Sequence, residues 1–94
     1  IAEERRHIMG EFTRMGIRYY PASANYILFY SEIDFYEELK QEGFLIRDCR
    51  NYRGLGKGYY RIAVKGREDN DKLLRAFGRI IERRKEETSW QSQS

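Results

Sequence analysis

The run Asn25-Tyr26-Ile27-Leu28-Phe29-Tyr30 is the most β-prone stretch of this 94-residue chain, and it constrains the fold more than any other. A strand with one wet face alternates polar and apolar side chains. This run is apolar or aromatic on both faces, which is the pattern of a central strand covered from two sides. Helices of the same chain can cover one side. The other side needs a partner.

The flanking sequence supplies the neighbours of that strand. A first helix runs from the start to about Met15, with Ile1, Ile8, Phe12 and Met15 on one face. Gly16 provides the left-handed residue that ends such helices, followed by apolar Ile17. The helix begins with neither an initiating methionine nor a capping residue, so the chain reads as the C-terminal piece of a longer protein. Ile17 to Tyr20 is a short strand stopped by Pro21. Asp34 and Glu37 have the spacing of a capping box for a second helix, which buries Phe35 and Leu39 and closes at Gly43. Phe44 to Arg47 reads as the third strand, Asp48 to Gly58 as a loop, and Tyr59 to Lys65 as the fourth strand. Alternation puts Tyr60, Ile62 and Val64 on its core face and Tyr59, Arg61 and Ala63 on the other. After Gly66, the residues Glu68, Asp69 and Asn70 favour a helix start through negative charge and side-chain capping. Leu73, Leu74, Phe77, Ile80 and Ile81 make its apolar stripe, and Glu82 to Glu87 extend it with a solvated face. The order α-β-β-α-β-β-α predicts an α+β, two-layer sandwich over residues 1–87. Its sheet is small, four-stranded and mainly antiparallel, with helices packed on one face. Residues 88–94 read as a disordered polar tail in which Trp90 has no visible partner.

Composition narrows the function classes. Eighteen Lys+Arg against fifteen Asp+Glu give a net charge of +3, too weak a bias to argue by itself for a nucleic-acid or membrane partner. The single cysteine, Cys49, cannot form an internal disulfide, and a single histidine leaves no zinc constellation. The apolar run Tyr26 to Tyr30 is far too short to span a membrane, and no signal peptide is recognisable, so the expected location is cytoplasmic.

Two arginines carry the chemistry. Arg47 and Arg61 each sit inside an otherwise apolar or aromatic strand, where a guanidinium is costly unless it meets an anion. Its planar fork suits carboxylate or phosphate, so neighbouring strands would present two anion-reading arginines; the bland alternative is an ion pair with Asp48 or Glu68. Gly54-Leu-Gly-Lys-Gly58 lacks the spacing and the Ser/Thr of a phosphate loop and joins strand to strand, so it reads as a flexible connection. Asp48 and Cys49 have no histidine or second carboxylate placed beside them and read as structural or partner-facing, and His7 reads as a boundary histidine. The rival function is an RNA-binding α+β module that stacks bases on the aromatic strands beside basic residues. The chain lacks the glycine-aromatic signature of such modules.

Four segments, in order, resemble one family: Pro21-Ala-Ser-Ala-Asn-Tyr-Ile-Leu-Phe29, Gly43-Phe-Leu-Ile-Arg-Asp-Cys49, Gly54-Leu-Gly-Lys-Gly-Tyr-Tyr-Arg-Ile-Ala-Val-Lys65 and Arg67-Glu-Asp-Asn-Asp-Lys-Leu-Leu74. They are similar to the C-terminal small domain of fold-type I pyridoxal-phosphate aminotransferases, in the branch that holds histidinol-phosphate aminotransferase and threonine-phosphate decarboxylase. The Arg-Asp-Cys wording leans toward the decarboxylase. The resemblance implies that Arg61 holds a substrate α-carboxylate, that Arg47 reaches a distal phosphate, and that Asn25 lies at the domain junction near the site. It also implies an N-terminal large domain packed on the second face of the sheet, a phosphorylated small-molecule substrate, and a homodimeric parent enzyme. Pyridoxal phosphate would be bound mainly by that large domain, because none of Lys40, Lys57, Lys65, Lys72 or Lys85 has the Ser-x-x-Lys context of a Schiff-base lysine. This chain alone would then be inactive and would carry no catalytic residue.

Overall fold

A computed structural model describes residues 2–93; the side chains of Pro21 and of residues 88–93 are not described. The elements are α1 (Ala2–Met15), β1 (Arg18–Pro21), β2 (Tyr26–Tyr30), α2 (Phe35–Gln41), β3 (Arg47–Asp48), β4 (Tyr59–Ala63) and α3 (Arg67–Gln93). The strands form one sheet in the order β1-β2-β4-β3, with every neighbouring pair antiparallel. The α+β two-layer expectation is met, and β2 is a central strand as its composition demands.

Both short helix–strand junctions are built on glycine. Gly16 (φ 79°) and Gly43 (φ 91°) take the left-handed conformation at the ends of α1 and α2. The N–H of Gly16 bonds to Thr13 O and that of Ile17 to Phe12 O, and the same pattern joins Gly43 to Lys40 O and Phe44 to Leu39 O. These are Schellman caps, which satisfy the last carbonyls of each helix. At the other end of α2, Asp34 accepts a hydrogen bond from the Glu37 N–H at 3.1 Å, as the capping spacing predicts.

The caps also explain why two strands are shorter than the sequence suggests. The Phe44 N–H is consumed by the α2 cap, and Phe44 and Ile46 pack against the core while Leu45 is 78% exposed. Ladder pairing therefore starts only at Arg47, opposite Arg61. At the end of β4, the Asn70 side chain takes both backbone groups of Lys65, accepting from its N–H (3.0 Å) and donating to its carbonyl (2.8 Å). Lys65 is thereby removed from the sheet. Asn70 is buried and caps the end of the strand, where the sequence suggests a contribution to the start of α3. Helical backbone in α3 continues to Gln93, through most of the segment read as a tail; the side chain of Trp90 and all of Ile1 and Ser94 lie outside the described residues.

The core lies between the sheet and its helices. Ile8 and Phe12 of α1, Ile27 and Phe29 of β2, Phe35 and Leu39 of α2, Tyr60 and Ile62 of β4, and Leu74, Ala76, Phe77 and Ile80 of α3 are all buried. Its centre is aromatic. Phe29 meets Phe12, Phe35 and Phe77 edge-on at centroid distances of 5.4 to 5.8 Å, and Phe35 and Phe77 are 4.5 Å apart. His7 Nε2 lies 2.7 Å from Asp71 Oδ1, tying α1 to α3 at the edge of this core as a boundary histidine.

Candidate functional site

Alternation along β2 and β4 sends Ile27, Phe29, Tyr60 and Ile62 to the helices and leaves Tyr26, Leu28, Tyr30, Tyr59, Arg61 and Ala63 on the opposite face. No element among the described residues covers that face. Tyr20 of β1, whose partner is Leu28, belongs to it as well.

Arg47 and Arg61 are direct cross-strand partners on this open face. Like charges in that position repel, since opposed side chains of an antiparallel pair stand only about 5 Å apart at Cβ. Neither arginine has a carboxylate partner among the described residues. The candidates that the sequence offers are otherwise engaged: Asp48 pairs with Arg50 at 2.9 Å, and Glu68 with Lys72 at 3.5 Å. The Arg61 guanidinium instead lies 4.2 Å from the centroid of the Tyr26 ring and 5.8 Å from that of Tyr52. Both arginines line an open depression of about 550 Å³, together with Tyr26, Leu45, Asp48 and Ala63. Asn25 is exposed and does not line it; its carbonyl accepts the Val64 N–H at 2.8 Å, extending the β2–β4 ladder by one step.

The connection that leads into β4 is shaped by glycine at Gly58. Its φ is 98°, and a Cβ there would stand 2.7 Å from Tyr30 Cε1 and 3.1 Å from the Ser31 carbonyl oxygen. The chain passes against the open-face tyrosine with no room for a side chain.

Acid–base chemistry finds no support at this site. Burial pushes the Asp48 carboxyl upward, but hydrogen bonds from the Arg50 side chain and backbone outweigh it and hold the group below its ordinary value. Burial pushes the Cys49 thiol up, away from a reactive thiolate. Tyr60, on the core face, is pushed up to about 12 by burial and by the nearby Asp34 and Asp48. Among the described residues no three His, Cys, Asp or Glu side chains are placed to hold a metal ion, and no helix is long and apolar enough to cross a membrane.

The described residues do not fit a pyridoxal-phosphate site on their own. A Schiff-base lysine must be desolvated or charge-activated. Lys40, Lys57, Lys65, Lys72 and Lys85 are all exposed, and Lys72 and Lys85 are engaged by Glu68 and Glu82. What the open face offers is two guanidinium groups with no carboxylate partner among the described residues. The stacking partners Tyr26 and Tyr52 escape sequence reasoning because they meet Arg61 through strand register and a loop path; the signal present was only a general wealth of tyrosine.

No protein-family model matches the chain. Over 65 residues, 66% of the chain, it is 40% identical to threonine-phosphate decarboxylase of Salmonella typhimurium. Over 69 residues, 69% of the chain, it is 35% identical to histidinol-phosphate aminotransferase of Methanocaldococcus jannaschii. It spans 18% of the length of each of these relatives. The crystal structure of histidinol-phosphate aminotransferase from Clostridium acetobutylicum superposes on 88% of the chain with a TM-score of 0.82 at 31% identity, using 27% of that protein.

Proposed function

We propose that this chain, whose homologues are threonine-phosphate decarboxylase and histidinol-phosphate aminotransferase, is the substrate-recognition small domain of a larger pyridoxal-phosphate-dependent enzyme. The enzyme acts on a phosphorylated amino acid or amine. In this reading Arg61 holds the substrate's carboxylate, Arg47 reaches its distal phosphate, and Asn25 lies at the junction with a large domain. That domain packs on the open face of the sheet and brings the cofactor with its lysine. The parent enzyme is a homodimer. One observation carries the proposal: two arginines face each other across β3 and β4 with no carboxylate between them among the described residues. A fold selected for stability alone would not keep that pair, whereas a dianionic ligand turns the repulsion into attraction. The relatives' names are those of enzymes and lend no support to an RNA-binding module.

The test uses the full-length protein. Threonine phosphate should yield aminopropanol phosphate and carbon dioxide; amino transfer from histidinol phosphate to 2-oxoglutarate without carbon dioxide would assign the other branch. Arg61→Lys keeps the charge but loses the fork, so kcat/KM should fall by roughly one to two orders of magnitude. Arg47→Ala should hurt phosphorylated substrates at least about ten times more than unphosphorylated analogues. Equal losses for both would make Arg47 structural.

A further inference from the structure

We infer that Tyr26 and Tyr52 are positioning residues for Arg61: their ring faces hold the guanidinium so that its N–H edge stays open for an incoming carboxylate. A guanidinium can be fixed in two ways. A neighbouring carboxylate fixes it by hydrogen bonds, which uses up the donors needed for a ligand. An aromatic face fixes it by cation–π attraction, which uses none of them. Arg61 is held in the second way. Its Cζ lies 4.2 Å from the Tyr26 centroid and 5.8 Å from that of Tyr52, and no hydrogen bond or ion pair engages its donors among the described residues.

The placement follows from the sheet. Leu28 is the direct partner of Arg61, and Tyr26 is the partner of Ala63, so Tyr26 stands diagonally across from Arg61 on the open face. A diagonal neighbour about 7–8 Å away lies within reach of a long and an aromatic side chain. Tyr52 comes from a different segment, the loop between β3 and β4 that leads through Gly54, Gly56 and Gly58, all with positive φ. Each tyrosine is 38% exposed, more than either ring needs if its role were to fill a core. By contrast Arg47, directly opposite, has no aromatic face within range among the described residues, so the two arginines differ in how firmly they are held. Arg61 is pre-oriented and Arg47 adapts to the ligand.

The functional half of this inference rests on the carboxylate role proposed for Arg61; the stacking itself does not. Two measurements keep them apart. In the ¹⁵N-labelled 94-residue chain, the Arg61 Nε–H and δ-methylene resonances should carry an upfield ring-current displacement. Tyr26→Leu should abolish it and Tyr26→Phe, which keeps the face, should restore it. Tyr52→Leu should reduce it less, because that ring is more distant. In the full-length protein, Tyr26→Leu should raise KM for the amino-acid substrate by about 3–10-fold with kcat changed less than about twofold, and Tyr26→Phe should recover most of that loss. Matching thermal unfolding midpoints confirm that each variant is folded. Unmoved Arg61 resonances in Tyr26→Leu overturn the stacking. Moved resonances with unchanged KM, while Arg61→Lys remains severely impaired, overturn the positioning role and leave the carboxylate reading standing. A near-normal Arg61→Lys overturns the carboxylate reading and takes the positioning role with it.

Discussion

The two faces of the sheet are made from the same strands and obey opposite rules. On the helical side, aromatic and aliphatic side chains close over one another, and one cluster of arginines on α3 is paired with carboxylates of α2 and its C-terminal cap: Arg79 and Arg83 meet Glu42 at 2.7 and 3.1 Å, and Arg84 meets Glu38 at 3.0 Å. On the open side, Tyr20, Tyr26 and Tyr52 remain well exposed and Arg47 faces Arg61. The helical face is what a fold selected for stability looks like. The open face holds two arginines with no carboxylate partner among the described residues, one of them against tyrosine rings, which is poor design for stability and fits the anion-binding role proposed above.

The difference is sharpest where a substitution should unfold the chain on one face and leave it folded on the other. Phe77→Ala removes the ring that meets Phe12, Phe29 and Phe35. Denaturant unfolding should show a loss of about 3–5 kcal/mol, most of the stability of a small domain. A loss below ~1 kcal/mol would mean that the helical face is not what holds the fold. Gly58→Ala probes the boundary between loop and open face. The left-handed conformation alone costs a side chain about 1–2 kcal/mol, and the contact with Tyr30 adds to it. The thermal midpoint should drop and the Tyr30 ring resonances should shift; an unchanged midpoint would show that the loop relaxes freely.

Electrostatic effects are smaller and differ in sign between the faces. Arg47→Gln relieves a like-charge pair and should leave the isolated chain unchanged or stabilise it by ~0.2–1 kcal/mol. A clear destabilisation would reveal a structural partner for Arg47. On the helical side, a side-chain hydrogen bond from Arg79 holds the Glu42 carboxyl below the ordinary 4.5, against the opposing effect of burial. A carboxyl lowered in the folded state contributes stability that is present above its unfolded value and is lost as pH falls through the folded one. The unfolding midpoint should therefore decline on acidification from about pH 5 downward, and Glu42→Gln should flatten that decline. An unaltered slope would assign the acid sensitivity to the other lowered carboxyls, Glu4, Glu11 and Asp48.

Much of this was already written in the sequence, because it depends on short-range pattern. The stripes of α1 and α3, the glycines that end α1 and α2, the Asp34 cap and the doubly apolar β2 follow from periodicity and local backbone preference. So does the assignment of Tyr60 and Ile62 to the core and Arg61 to the other face, since alternation along one strand needs no knowledge of its neighbours. Register is different. That Arg47 lands opposite Arg61, that Tyr26 reaches Arg61 diagonally, and that Asn70 caps the backbone of Lys65 depend on how segments far apart in the chain are docked. The start of β3 turned on a similar competition, because the Phe44 N–H could join the α2 cap or the sheet and packing of Phe44 on the core chose the cap. A one-residue slip of β3 would turn Arg47 to the other face while leaving every local pattern intact. Only the tertiary structure, through the side chains that must be buried together, decides between such registers.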